Sequence, residues 1–135
     1  MINANLHHFI DRVIDNKAIT QDDVRELQRN ILTDGIGSRA EADALLALDR
    51  TLDAHASWGD FLVTVMVDYV VWGSRPTGRV PAETAAWLVT AFTCGEPTGT
   101  ALRIARAIVQ EAQEVDPELL FFARRGMSTF ASLAA

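Results

Sequence analysis

Oxygen-bearing side chains at a ligand-like rhythm occur in one stretch, 30–41, which reads Asn-Ile-Leu-Thr-Asp-Gly-Ile-Gly-Ser-Arg-Ala-Glu. Laid on a twelve-residue calcium loop, it puts Asn30 at the first ligand position, Asp34 at the fifth, Ser38 at the ninth and Glu41 at the twelfth, where a bidentate carboxylate belongs. Gly35 falls on the turn position and Ile36 on the backbone-carbonyl position. Leu32 stands at the third position, which needs an oxygen ligand, and Gly37 at the eighth, which is ordinarily apolar. With Asp34 and Glu41 as the only charged ligands, a divalent cation held by Asp34, Glu41, Asn30 and Ser38 is weakly bound. Asp22, Asp23 or Asp43 would strengthen such a site if they converged on it. The competing reading is an ordinary helix–turn–helix, in which Gly35 ends one helix and Ser38 caps the next.

No other stretch carries a catalytic constellation. There is no Gly-x-Ser-x-Gly to mount a serine nucleophile and no Gly-x-x-x-x-Gly-Lys to cradle a phosphate. His7 and His8 are neighbours, so on a helix they point about 100° apart and do not share a metal. Cys94 is the sole cysteine, which excludes an intrachain disulfide and fits a reducing compartment. Asp68 sits in the most apolar segment and requires an ion-pair partner, a helix N-terminus or the surface. Trp72, beside Gly73-Ser74-Arg75-Pro76, is the tryptophan expected at the surface. With Arg75 it has the composition of a protein-contact hot spot.

Helices carry or border all of these residues. Helical periodicity runs from end to end, and no alternating pattern of useful length competes with it. It predicts helices over about 3–15, 20–33, 39–54, 58–73, 81–93, 99–114 and 117–131. Thr20 caps the second, Ser38 with Glu41 forms a capping box for the third, and Ser57 caps the fourth. The fourth is apolar nearly all round, with a polar stripe of Ser57, Asp60, Thr64 and Asp68, so it is the central helix of the bundle. A weak echo links Ile19-Thr20 before Asp23, Asp34-Gly35-Ile36 before Glu41, and Gly78-Arg79-Val80 before Glu83. Each is a turn, a β-branched residue and a helix opening with an acid. Helix-start grammar alone could produce that outline.

The outline Asp34-Gly35-Ile36, followed by Glu41-Ala42 and Leu46, resembles the tellurite-resistance protein B-like (TerB-like) family. The likeness covers residues 20–53 and beyond them only the helix count. It implies a seven-helix fold, often with acidic residues placed for metal binding, and a link to stress or tellurite resistance. Thr77 and Cys94-Gly95-Glu96 depart from the family outline in the second half, so any second-half ligands of a shared metal site are missing.

Bulk composition closes off several classes. At 135 residues, 49% hydrophobic and 22% charged, the chain reads as one ordered domain. The net charge of −6 lies entirely in residues 1–68, which hold 12 acids against six bases; residues 69–135 balance six against six. Such a surface repels phosphate backbones and anionic lipid and suits a cation or a basic protein. No signal segment opens the chain, and the apolar run from Trp58 to Trp72 is broken by Asp60 and Asp68 and too short to span a bilayer. Eleven of the twelve basic residues are arginine, as expected of a GC-rich bacterium. The sequence therefore predicts a cytoplasmic, single-domain, all-α bundle of about seven helices. Its function is non-enzymatic contact with a protein partner, with a divalent-cation-binding domain as the alternative.

Overall fold

In the computed structural model, which describes residues 4–73, 77–94 and 97–124, the fold is all-α. Seven helices run in the order expected: α1 (Ala4–Asn16), α2 (Gln21–Glu26), α3 (Arg39–Thr51), α4 (Ala56–Val67), α5 (Ala82–Phe92), α6 (Gly99–Glu111) and α7 over 117–124. α2 runs on into a π-helical turn, Leu27–Ile31, and α4 into another, Asp68–Trp72. Four two-residue strands complete the described residues: β1 (Ala18–Ile19), β2 (Asp53–Ala54), β3 (Arg79–Val80) and β4 (Glu114–Val115). They had no chance of showing in the sequence, because two residues do not establish an alternating period.

Contacts divide the chain into two units, residues 1–69 and 70–135. In the first, β1 pairs in parallel with β2, Ala18 opposite Asp53 and Ile19 opposite Ala54. The helical hairpin α2–α3 makes the crossover between them, as a parallel pair requires. Its core is Leu6, Phe9 and Val13 from α1, Val24 and Leu27 from α2 and its extension, Leu45 and Leu48 from α3, and Trp58 and Leu62 from α4. Arg12 fastens α1 to α2, reaching Asp23 at 3.2 Å and Glu26, with its guanidinium 5.4 Å from the Phe9 ring centre. The hydrogen bond to Glu26, with the two carboxylate charges, holds the Arg12 pKa above its ordinary value despite partial desolvation. The helix from Ala56 is as apolar as its sequence indicates: Trp58, Phe61, Leu62, Val65 and Met66 are buried, and Asp60, Thr64 and Asp68 are exposed. Ile14, an apolar residue near the end of α1, is 51% exposed.

The second unit repeats this plan. β3 pairs in parallel with β4, Arg79 opposite Glu114 and Val80 opposite Val115, with the hairpin α5–α6 as the crossover. Both ladders fall at one spacing of 61 residues, 18 to 79 and 53 to 114. Details recur at that spacing. His55 N–H donates to Ile19 O as Asp116 N–H donates to Val80 O. Lys17 and Gly78, each just before a ribbon, both have positive φ, 59° and 81°. The second helix of each hairpin is capped alike: Ser38 Oγ accepts from Glu41 N, and Thr98 Oγ1 from Ala101 N. Thr98 lies one residue early against that register, and Gln113 restores it after α6. Of the three echoes in the sequence, those at Ile19 and Val80 occupy equivalent strands; the one at Asp34 lies in the turn between two helices.

Candidate functional site

The stretch 30–41 forms the turn of the first hairpin, and its local sequence explains the shape. Leu27, Ile31 and Leu32 continue the apolar face of α2, so the chain stays helical through Ile31 and Leu32 is buried at 5% exposure. Asn30 is therefore inside a helical turn, on its exposed side. Leu32 N–H donates to Leu27 O at 2.7 Å and Gly35 N–H to Leu32 O at 3.1 Å, closing the turn. Gly35 adopts φ +84°, the left-handed backbone that ends helices and that a side chain resists. Asp34, at its head, is exposed.

Ser38 and Glu41 meet, as a cap. Ser38 Oγ accepts from Glu41 N–H at 3.3 Å. The Glu41 carboxylate, only 6% exposed, turns back past Ser38 and accepts from Gly37 N–H at 3.3 Å. This is a capping box displaced by one residue: the carboxylate serves the backbone one position further out. It explains Gly37, where an added Cβ would lie 2.9 Å from Glu41 Oε1. Glu41 thus satisfies the Gly37 N–H just ahead of α3 and opposes the positive end of its dipole. Among the described residues, no group of three or more His, Cys, Asp or Glu is placed to hold a metal ion. Of the four sequence-nominated ligands, the structure joins Ser38 to Glu41 and shows Asn30 and Asp34 on the surface.

The fourth helix begins two residues earlier than its sequence suggests, at Ala56, which moves the cap. Ser57 lies within the first turn of α4, and His55 takes the N-cap position, its Nδ1 accepting from Ser57 N–H at 3.1 Å and 2.9 Å from Ser57 Oγ. The matching position in the second unit is Asp116, whose Oδ2 accepts from Glu118 N–H at 3.2 Å. The His–Ser pair is thus a capping arrangement on an exposed turn.

Trp72 ends the π-helical turn that follows α4 and is 44% exposed; Arg75 lies outside the described residues. The contrast with Trp58 is sharp. Trp58 is 1% exposed, and its indole Nε1–H donates to Asp49 Oδ1 at 3.1 Å. Counting back 61 residues from Trp72 reaches Asp11, itself exposed and 3.6 Å from His7. Cys94 is exposed beyond α5, and Asp68 is on the surface, one of the places open to it. Two features had no sequence signal. A groove of about 590 Å³ follows the β3–β4 ribbon, crossed by the Arg79–Glu114 ion pair at 3.1 Å. Phe121, on α7, is 64% exposed. An apolar residue in a helical sequence reads as core, and only packing reveals otherwise.

Comparison of the chain with protein-family models, with curated proteins and with solved structures finds no match. No helix among the described residues is long and apolar enough to cross a membrane.

Proposed function

We propose that this chain is a non-enzymatic protein-interaction module that engages its partner through Trp72. The carrying observation is the 44% exposure of that side chain. A large aromatic in water leaves apolar area uncovered, and burying it against a partner recovers about 25 cal/mol per Å². Tryptophan is also the residue most enriched among the few that dominate binding energy. The fold does not demand an aromatic there, since the first unit carries Asp11 at the position 61 residues earlier. The −6 charge of residues 1–68 favours a partner with a basic surface and speeds its approach at low salt. The TerB-like outline at Asp34–Glu41 supports placing this module in a stress or tellurite response.

The test is affinity capture from a GC-rich bacterial lysate with wild type and Trp72→Ala, each first shown to have the same helical content and melting temperature. A partner retained by wild type and lost from the variant, with binding that weakens as salt rises, supports the reading. Identical recoveries from the two baits would remove Trp72 from it.

A further inference from the structure

The two units fold to one plan, so each position of one reports what the fold requires of the other. Asp60 on α4 and Phe121 on α7 are 61 residues apart, and both are exposed. Their neighbours match as core: Trp58 with Leu119 and Leu62 with Ala123 are buried pairs. α7 is held by Leu119 and Ala123, and by Phe122, whose ring stacks on Phe92 at 5.5 Å. Phe121 takes no part in that packing. Where the first unit has Asp60 at an exposed position, the second presents a phenyl ring that is 64% exposed.

The residues around the ring say what covers it. Glu118 and Arg124 are both exposed, three residues before and three after Phe121. At 100° per residue they flank it by about 60° on either side, one turn down and one turn up. The stripe is acid, aromatic, base. Turned end for end, it becomes base, aromatic, acid, which is its own complement. Two copies related by a twofold axis through Phe121 would stack the two rings and bring Glu118 to the level of the partner's Arg124, and the reverse. An isologous contact needs that self-complementarity.

We infer that the solvent face of α7 is a homodimer contact, with Phe121 packed against the partner's Phe121 between two reciprocal Glu118–Arg124 ion pairs. It does not rest on the role assigned to Trp72. One short helix buries less than a standard interface, so the dimer is weak and depends on concentration.

Sedimentation equilibrium over a concentration series reads it directly, and circular dichroism checks that each variant is folded. Wild type self-associates to a dimer. Phe121→Asp, which installs the residue of the matching first-unit position, raises the dissociation constant about thirty-fold or more. Glu118→Arg and Arg124→Glu are each monomeric alone, since like charges then face each other, and they associate one-to-one when mixed. The double variant Glu118→Arg/Arg124→Glu dimerises again. A wild type that stays monomeric throughout overturns the proposal, and so does a dimer that survives Phe121→Asp or charge variants that fail to pair on mixing. Trp72→Ala leaves the dimer unchanged, so failure here is separable from failure of the partner reading. A dimer broken by Trp72→Ala and untouched by Phe121→Asp would move the contact to the other aromatic and sink this one.

Discussion

Replacing Glu41 with alanine distinguishes a capping carboxylate from a metal ligand, and the structure sets the size of the effect. The side chain is 6% exposed and accepts from Gly37 N–H at 3.3 Å. A hydrogen bond to a charged acceptor contributes about 1.5–3 kcal/mol at good geometry. At 3.3 Å, with Gly37 itself exposed and able to turn to water, about 1 kcal/mol is the reasonable share. Loss of a negative charge at the α3 N-terminus adds about 0.3–1 kcal/mol. Glu41→Ala should therefore cost about 1–2 kcal/mol, a fall in melting temperature of about 3–8 °C for a chain of this length. Gly37→Ala should act through the same contact, because its Cβ would stand 2.9 Å from Glu41 Oε1 and displace the carboxylate. The two substitutions are then strongly non-additive: Gly37→Ala costs little once Glu41 is alanine. The assay is urea and thermal unfolding of the four proteins of this cycle, in chelator and again with millimolar calcium, magnesium or zinc. The cap predicts the same losses in every buffer and no metal-induced shift for wild type. A Glu41→Ala loss below about 0.5 kcal/mol, or additive costs, would overturn the cap, and a loss that appears only with metal present would return Glu41 to a ligand role.

The repeat supplies further tests, because each unit offers a solution to the other's local problem. Lys17 holds φ 59° where the second unit has Gly78, so Lys17→Gly should stabilise by up to about 1 kcal/mol, read as a raised urea midpoint at unchanged slope. His55→Asp copies the Asp116 cap and should stabilise α4 by about 0.5–1 kcal/mol at neutral pH; a loss of stability would show that the imidazole packs as well as caps. Trp58→Phe removes the indole donor to Asp49 and trims a side chain that is 1% exposed, for a cost of about 1–3 kcal/mol in chemical denaturation.

The helices were legible because their causes are local. Thr20 and Ser38 reach donors three residues ahead, and the apolar faces of α1, α3 and α4 recur every three or four residues, all within one window of sequence. The polar stripe of α4 was legible for the same reason. Exact helix starts were less so: whether His55 or Ser57 caps α4 depends on the chain direction set by β2, and β2 exists only because β1 lies beside it.

What tertiary structure alone decided is of that second kind. The strand pairs join residues 35 apart, 18 with 53 and 79 with 114, and two-residue strands leave no period to detect. The 61-residue repeat is carried by matched burial, caps and pairings, while solvent-facing identities differ, as Asp60 and Phe121 do. At the candidate loop, residue types fixed the turn, since Gly35 is free to adopt left-handed backbone. They did not fix where Glu41 points. A carboxylate three residues into a helix can face outward to a cation or back to the chain, and the close approach of Gly37 selects the second. Ile14 and Phe121 make the same point for apolar residues: hydrophobic character sets the free energy gained on burial, and only the packed neighbours determine whether burial happens.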